Sequence, residues 1–362
     1  MTAIHQIMPA FLYADALGNQ AYRIRELLRQ WGYESQVYAT IRDRRWADPG
    51  LDFARYRSRP DQMAIFHYSI GSPLTAQVLN LPDRIVPYYH NVTPPEFLRA
   101  YNPELARLLD QGRRELVEFK RAPYALAASE YNRQEMLTLG FPRVEVLPYF
   151  VYFDELRASA ATPMGREVTA RFASNRVNVL FVGRLVPNKR QDDLVRVLHY
   201  YQRLIDPTAR LILVGGDANA PGYRLELQTL ARVLGVDNVE LAGSIGPHEG
   251  LGGYYRAATV FVCLSEHEGF CVPLLEAMAF EVPVIAFKST GVPYALGEAG
   301  IQLADKSPAV VSEVIDLVHT DTALRKQIIS TQRQHLTAFA PDRVAGRLRA
   351  CLTEALSQFH AG

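Results

Sequence analysis

The chain is poor in cysteine and has no long hydrophobic run. Its 362 residues include only three cysteines, Cys263, Cys271 and Cys351, and no CxxC pair. This odd, scattered set argues against a disulfide framework or a zinc site and favours a reducing cytosol. No apolar run approaches the ~18–20 residues of a membrane span. The N-terminus lacks the basic region of a signal peptide. We therefore expect a soluble, cytoplasmic protein.

The chain also lacks an excess of either charge. It has 39 Lys and Arg against 38 Asp and Glu, a formal net charge of +1, so nucleic-acid binding is not expected. Its apolar fraction of 48% is typical of a globular protein. At roughly 100–200 residues per domain, the length predicts two domains.

Short apolar runs alternate with helical patterns along the chain, which indicates parallel sheets built from βαβ units. Predicted strands are 5–8, 35–39, 63–67, 85–89, 124–127, 143–146, 178–182, 209–214, 239–242, 260–263 and 284–286. Predicted helices include 20–30, 132–139, 191–204, 223–234, 251–257 and 273–279. Residues 151–176 show neither pattern and are interpreted as a connection. We predict domains over 1–160 and 161–340, and a helix over 341–362 that could pack back on the first domain.

The loops after the strands carry the candidate functional residues, because ligands of open parallel sheets bind at the carboxyl ends of strands. In GRLVPNKR, Gly183 permits a tight turn, and Arg184 and Lys189 could bind phosphate. In VGGD, Gly215 and Gly216 permit close approach to a ligand. The alternatives are solvated cations and an ordinary tight turn.

The stretch SEHEGFCVPLLEAM, residues 265–278, carries the strongest signal. Pro273 suits the first position of a helix, whose free amides would form an anion site. Glu268 would precede the bend and Glu276 would lie in the first helical turn. Carboxylates there could accept hydrogen bonds from sugar and ribose hydroxyls. The alternatives are a helix-dipole role for Glu276 and a surface position for Glu268. The candidate amides belong to Cys271, Val272 and Leu274.

The first half offers weaker candidates at its strand ends. His90 lies in YYHNVTPPEF after a predicted strand, and His67 ends another strand in HYSIGS. Gly18 in DALGNQ follows the first strand and leads into a helix. A lone histidine is more often structural than catalytic, so both roles stay open.

At these residues the chain resembles the family 4 glycosyltransferases, retaining enzymes of the GT-B fold. The matching pieces in the second half are FVGRLVPNKRQDDLV, LILVGG, NVELAGSIG, LGGYYRAATVFVCLSEHEGFCVPLLEAMAFEVPVIA and GEAGI. EGFCVPLLE carries that family's E-x7-E motif, which is far more specific than a glycine loop. The first half is similar at lower density through DALGN, YYHNVTPPEF and ASEYNRQEMLTLGFPRVEVLP.

The resemblance implies two doubly wound Rossmann-like domains facing each other across a cleft. The acceptor would bind to the first domain and a nucleotide-sugar to the second. The resemblance also implies roles for single residues. Arg184 and Lys189 would bind the diphosphate, and Glu276 would bind the ribose. Glu268 and the amides of Gly269, Phe270 and Cys271 would hold the sugar, which His90 would reach from the first domain, while Ser244 and Ile245 would line the base pocket. By the same resemblance Gly18, Gly183 and Gly215 approach the donor, and His90, Glu268, Arg184 and Lys189 form the catalytic set.

The implied enzyme needs no metal and no cofactor beyond its nucleotide-sugar substrate, and it uses a front-face mechanism. GDP-mannose is slightly favoured as donor over UDP-sugars. The acceptor would be a glycan or a lipid-linked glycan in polysaccharide or lipopolysaccharide assembly. The alternatives are a nucleotide-sugar epimerase of the same fold and a non-catalytic nucleotide-sugar-binding protein.

Four positions depart from the family pattern. Cys271 and Glu281 replace usual glycines, Tyr294 replaces a usual glutamate, and Gly18 is followed by Asn19 rather than a second glycine. These departures bear on donor and acceptor specificity.

Residues 41–59 mix arginines with Trp46, Phe53 and Tyr56, which could rest on the inner face of an anionic membrane. The alternative is a solvated loop with a few aromatic anchors.

Overall fold

The chain divides into two compact units, each built around one parallel sheet. The computed structural model describes residues 3–13, 15–246 and 249–361. The first unit comprises the described parts of Met1–Pro95, Ala106–Phe150 and Pro341–Gly362, and the second comprises those of Glu96–Leu105 and Val151–Ala340. The division falls at residue 150, where the sequence suggested 160, and the C-terminal helix belongs to the first unit.

The first unit holds a 7-stranded parallel sheet of order β3-β2-β1-β4-β5-β6-β7. Its inner strand β4, MAIFHY, is largely apolar and is buried at every position. Helices must therefore cover both faces of the sheet. The strands are β1 Ile4–Phe11, β2 Val37–Arg42, β3 Leu51–Asp52, β4 Met63–Tyr68, β5 Arg84–Tyr89, β6 Ala125–Ala127 and β7 Val144–Val146.

The second unit holds a 6-stranded parallel sheet of order β10-β9-β8-β11-β12-β13. Strand β11 is buried throughout and pairs with β8 on one side and β12 on the other. The strands are β8 Asn178–Val182, β9 Arg210–Val214, β10 Val239–Gly243, β11 Val260–Cys263, β12 Val284–Phe287 and β13 Ile301–Leu303.

The helices alternate with these strands, as the βαβ pattern predicts. They are α1 Ala16–Gln30, α2 Pro73–Leu79, α3 Pro103–Glu115, α4 Glu130–Thr138, α5 Phe153–Ser159, α6 Pro163–Phe172, α7 Gln191–Leu204, α8 Tyr223–Leu234, α9 Leu251–Ala257, α10 Val272–Ala279, α11 Val292–Leu296, α12 Pro308–Thr320, α13 Thr322–Leu336 and α14 Pro341–Ala361. The prediction of two doubly wound α/β domains is confirmed.

Residues 151–176, which were interpreted as a connection without a strand or helix pattern, contain helices α5 and α6. Helix α6 begins at Pro163 after Thr162, whose side-chain oxygen accepts a hydrogen bond from the Gly165 amide at 3.1 Å. It packs on α9 with glycine-to-glycine contact, since a Cβ on Gly253 would lie 2.4 Å from the Gly165 carbonyl oxygen. Helices this short give little periodic signal.

In each sheet the strand order reverses direction at one point, between β1 and β4 and between β8 and β11. Chains leaving the two central strands there diverge to opposite faces, which opens a crevice at the carboxyl edge. The loops after β8 and β11 are GRLVPNKR and SEHEGFC. The topology therefore brings the two strongest candidate segments of the sequence together.

Candidate functional site

The loops after β8, β9 and β10 are joined through their backbones. The Gly183 amide donates to the Val214 carbonyl, and the Gly215 amide donates to the Gly243 carbonyl, each at 2.8 Å. A Cβ on Gly215 would lie 1.9 Å from the Gly183 carbonyl oxygen, so only glycine fits there. A Cβ on Gly216 would meet only ordinary contacts, with Ser244 at 3.5 Å. Close backbone packing thus explains Gly215.

The central feature of the site is an ion pair between the loops after β8 and β11. The Lys189 Nζ lies 2.5 Å from Glu268 Oε2, and the two side chains are 13% and 9% exposed. The same Nζ lies 3.4 Å from the His267 carbonyl oxygen, which also accepts a hydrogen bond from the Asn188 side-chain amide at 3.0 Å. Glu268 is therefore a buried, paired carboxylate, and its interpretation as a surface residue was wrong.

A third loop, after β12, fixes the backbone of Glu268. The Glu268 amide donates to Thr290 Oγ1 at 2.8 Å, and the Thr290 hydroxyl donates back to the Glu268 carbonyl at 2.9 Å. The Gly291 amide donates to the same carbonyl at 3.0 Å, and a Cβ on Gly291 would lie 2.5 Å from the Gly269 carbonyl oxygen. The bend at Glu268 and Gly269 is thus held by close packing and by three hydrogen bonds.

Helix α10 starts one residue earlier than the sequence predicted. Val272 is its first residue and Pro273 its second, and the Leu274 amide is bonded to the Cys271 carbonyl at 3.2 Å. The Leu274 amide is therefore not available to an anion in this conformation. Cys271 has φ 76°, a left-handed conformation that favours glycine. Glu281 has φ 60°, so both replacements of a usual family glycine occupy left-handed positions.

Glu276 lies in the second turn of α10 rather than the first, which removes its interpretation as a first-turn dipole residue. The buried Tyr255 hydroxyl donates to its Oε2 at 2.6 Å. Burial raises the pKa of the Glu276 carboxyl, and the hydrogen bond from Tyr255 lowers it in part. One oxygen of Glu276 is thus held by the protein, and its other oxygen could accept from a hydroxyl group.

The Phe270 ring belongs to the core of the second unit. It forms edge-to-face contacts with Tyr294 and Phe339 at 5.8 and 5.9 Å between ring centres. Tyr294, which departs from the family pattern, is therefore a packing residue of this aromatic cluster. The part of Phe270 that could contact a sugar is therefore its backbone, not its ring.

The remaining candidates of the second unit lie nearer its surface. The Arg184 side chain is exposed, Ser244 is exposed, and Ile245 is half-buried. Lys189, Glu268 and Glu276 are therefore held by intramolecular partners, whereas Arg184 is displayed to solvent. The structure does not bring the Arg184 guanidinium into the Lys189–Glu268 pair.

In the first unit, Gly18 and His90 are both buried. A Cβ on Gly18 would lie 2.0 Å from the Leu12 carbonyl oxygen, so this glycine lets α1 pack on the end of β1. His90 Nε2 lies 2.9 Å from His67 Nδ1, and His90 Nδ1 lies 2.8 Å from the Tyr149 hydroxyl. Both ring nitrogens of His90 thus have partners within the first unit.

The hydrogen bonds that link Gln6, His67, His90 and Tyr149 form a series, and the direction of each can be derived. Gln6 donates through Nε2 to the Ala21 carbonyl, so its Oε1 must accept from His67 Nε2–H at 2.9 Å. His67 Nδ1 is then an acceptor and receives the Nε2–H of His90. His90 Nδ1 in turn accepts from Tyr149. Both imidazoles are therefore neutral Nε2–H tautomers.

The electrostatic environment agrees with neutral rings. Burial lowers the pKa of His67 to about 3. Burial and the neighbouring His67 lower the pKa of His90 well below its usual range. His67, which the sequence marked only as a strand end, is the residue that orients His90.

The aromatic residues of segment 41–59 pack inward. Trp46 stacks between Phe11 and Tyr22, at 5.1 and 4.9 Å between ring centres. Tyr56 is buried and donates to Asp83 Oδ1 at 2.5 Å. Exposed residues of this segment include Arg44, Arg45, Arg55, Arg57 and Arg59. The aromatic anchors of the membrane hypothesis are thus engaged in the fold, and contact through the arginines stays a prediction. Among the described helices, none combines the length and apolarity required to cross a bilayer.

Sequence reasoning missed four residues that shape the site: Asn188, Tyr255, Cys263 and Thr290. Tyr255, Cys263 and Thr290 contact the predicted residues Glu276, Cys271 and Glu268, and Asn188 bonds to the His267 carbonyl next to Glu268. No local pattern reveals these contacts. Only Asn188 had a signal, because it lies inside the singled-out PNKR stretch beside Lys189.

Comparison with known proteins agrees with this architecture. HepE from Anabaena, solved in complex with UDP-glucose, superposes with a TM-score of 0.70 at 16% identity, covering 97% of this chain and 99% of that one. WaaG, a glycosyltransferase involved in lipopolysaccharide biosynthesis, superposes with a TM-score of 0.70 at 16% identity, covering 94% and 98%. At such identities the likeness concerns the fold alone. The chain has the GT-B fold, as WaaG does.

The sequence comparison is narrower and falls on the second unit. Residues 169–335, slightly less than half of the chain, match the family described as Glycosyl transferases group 1. A D-inositol 3-phosphate glycosyltransferase of Acidothermus cellulolyticus is 31% identical over 186 residues, which cover 50% of this chain and 41% of that protein. The match thus spans less than half the length of this curated relative.

Proposed function

We propose that the protein is a retaining, metal-independent glycosyltransferase that moves a sugar from a nucleotide-diphospho-sugar to a glycan or lipid-linked acceptor. The observation that carries the proposal is the Lys189–Glu268 pair at the switch point of the second sheet, with Glu276 on the following helix. A cation for phosphate and two carboxylates for hydroxyls match the chemistry of such a donor. The family match over residues 169–335 supports the same substrate class.

In this mechanism the second unit binds and polarises the donor. Lys189 and the exposed Arg184 stabilise the negative charge that develops on the departing diphosphate. Glu276 accepts from ribose hydroxyls, while Glu268 and the amides after it hold the sugar. The leaving phosphate assists deprotonation of the acceptor on the same face, so no second carboxylate is needed as nucleophile.

The role of His90 in the proposal has a structural condition. Both of its ring nitrogens are hydrogen-bonded, to His67 and to Tyr149. A direct hydrogen bond from the ring to the sugar requires one of these bonds to break. Exchange of the Tyr149 hydroxyl for a sugar hydroxyl keeps the His67 bond and the tautomer unchanged.

GDP-mannose is our first choice of donor, and UDP-sugars are the second. For the acceptor, we propose a growing polysaccharide or lipopolysaccharide at the inner membrane face. D-inositol 3-phosphate, named in the relative from Acidothermus, is a further acceptor to test. Sedimentation with anionic and neutral vesicles tests the peripheral contact, and equal recovery with both would contradict it.

The experiment is a thermal-shift and calorimetric screen of GDP, UDP, ADP and their sugar conjugates. A ligand that binds only the folded state stabilises it by ~2.7 kcal/mol at one hundred times its Kd. We expect one nucleotide to stabilise the wild type and to lose its effect in Lys189→Ala and Glu276→Ala. Glu281→Ala, which removes an exposed carboxylate beyond the same helix, is the matched control.

The reaction itself is then followed with the stabilising donor. Transfer with retained anomeric configuration, unchanged by a chelator, is the expected result. Release of a free epimerised sugar would favour the epimerase, and binding without turnover of any acceptor would favour the non-catalytic alternative. Absence of binding by every nucleotide, in the presence and absence of acceptor, would contradict the proposal.

A further inference from the structure

Two thiols and one carboxylate, from the last residue of β11 and from the loop that follows it, converge on a single point. Cys263 Sγ lies 3.9 Å from Cys271 Sγ, and these two sulfurs and a Glu268 oxygen all lie within 4.8 Å of one another. Cys263 is fully buried, and Cys271 and Glu268 are each 8% exposed. The sequence argued against a zinc site because it contains no CxxC pair and an odd number of cysteines. The bend at Glu268 brings the two cysteines together.

We propose that Cys263, Cys271 and Glu268 bind one thiophilic divalent ion, Zn²⁺ or its analogue Co²⁺. With Zn–S bonds of about 2.3 Å, tetrahedral geometry places two sulfur ligands ~3.8 Å apart. The observed 3.9 Å thus fits two ligands of one ion. A disulfide would require the sulfurs to approach to about 2.05 Å, a much larger displacement.

The charges around the three ligands suit a divalent ion. Two thiolates and one carboxylate carry three negative charges, which the ion and the Lys189 ammonium together balance. Lys189 Nζ holds Oε2 of Glu268 at 2.5 Å, which leaves Oε1 for the metal. The lysine would then act as an outer partner that orients a ligating carboxylate. Water would complete the fourth position, beside the two ligands that are partly exposed, Cys271 and Glu268.

The backbone at Cys271 supports a role for its side chain. Its φ of 76° is a conformation that glycine adopts without strain and that an L-residue such as cysteine adopts only at a cost. Strain of this kind points to a function of the residue that occupies the position. A sulfur ligand facing Cys263 is such a function.

Metal binding replaces the two thiol protons, which pass to solvent, so the affinity rises with pH. One consequence rests on the proposed function. A metal ion on Oε1 of Glu268 occupies the side of the carboxylate that would otherwise accept a hydrogen bond from the transferred sugar. Occupancy of the site would therefore inhibit transfer, although the transfer itself needs no metal.

The test is a Co²⁺ titration of the reduced, chelator-treated full chain, followed by absorption and without any nucleotide-sugar. We expect one ion per chain and the near-ultraviolet band of thiolate-to-cobalt charge transfer. Cys271→Gly, which suits the backbone, and Cys263→Ala should each weaken binding by more than about 100-fold. Cys351→Ser removes the buried thiol of helix α14 and should leave the titration unchanged.

Absence of the thiolate band in the wild type, or an equal band in Cys271→Gly, would overturn the proposal. Thermal melts of all three variants establish that they are folded. A second measurement compares the fold inhibition of transfer by Zn²⁺ in wild type and Cys263→Ala. A thiolate band in a protein without transferase activity would refute the proposed function and leave the metal site standing.

Discussion

Lys189 and Glu268 form a buried ion pair, with Nζ 2.5 Å from Oε2, across the point where the strand order of the second sheet reverses. In the absence of ligand each side chain neutralises the other. An arriving diphosphate competes for the ammonium, and sugar hydroxyls can hydrogen-bond the carboxylate. The pair therefore suits a ligand that carries both a diphosphate and sugar hydroxyls, and it leaves neither buried charge unpaired before the ligand binds.

Removal of Lys189 should therefore destabilise the fold as well as weaken nucleotide binding. We expect Lys189→Met to lower the free energy of unfolding by about 3 kcal/mol, because it leaves the Glu268 carboxylate buried and unpaired. Adding Glu268→Gln should restore part of this loss. Urea unfolding of the two single variants and the double variant gives the coupling energy. A double variant as unstable as the sum of the singles would show that the pair is not coupled.

Gly215 and Gly216 offer a matched pair of adjacent positions. Gly215→Ala places a Cβ against the Gly183 carbonyl at 1.9 Å, whereas Gly216→Ala meets nothing closer than 3.5 Å. We expect Gly215→Ala to lower the free energy of unfolding by about 1–3 kcal/mol through overpacking. Gly216→Ala should change it little. Equal losses at both positions would contradict the packing explanation of Gly215.

The core strands and the long helices could be predicted from sequence because their patterns are local. Strands 178–182 and 260–263 and helices 191–204 and 223–234 have the predicted bounds. Helix α6 was missed because its ten residues depend on a cap at Thr162 and on packing against α9. The E-x7-E stretch marked the site, but burial of Glu268 depends on Lys189 and Thr290, which the fold brings from distant loops.

The His67–His90 pair should make the fold sensitive to acid. The pKa of each ring is lowered by burial, so the unfolded chain binds more protons than the native state below the usual histidine pKa of ~6.5. Stability is therefore lost as the pH falls from about 6.5, by up to ~1.4 kcal/mol per pH unit for each ring. His67→Gln should reduce this slope in urea unfolding at a series of pH values.

Nitrogen NMR of the imidazoles provides a control that does not depend on stability. Both rings should show the Nε2–H tautomer, because Gln6 fixes the direction of the hydrogen-bond chain. Replacement of Tyr149 by Phe should leave the His67 tautomer unchanged. An Nδ1–H tautomer for His67 would contradict the derived direction.

Glu276 should produce the opposite dependence on pH. Burial raises the pKa of its carboxyl, so the native state retains a proton that the unfolded chain has already released. Stability is then present in full below the usual pKa of ~4.3 and falls as the pH rises through the higher native pKa.

The variant Glu276→Gln keeps an acceptor for Tyr255 and has no proton to lose. The excess of its free energy of unfolding over that of the wild type should therefore grow with pH. Tyr255→Phe removes the hydrogen bond that favours the ionised carboxyl and should steepen the loss, while the double variant should remove the Glu276 contribution. Urea unfolding of these four proteins between about pH 4 and 7 measures each difference. A difference in free energy of unfolding between wild type and Glu276→Gln that stays constant across this range would contradict the raised pKa of Glu276.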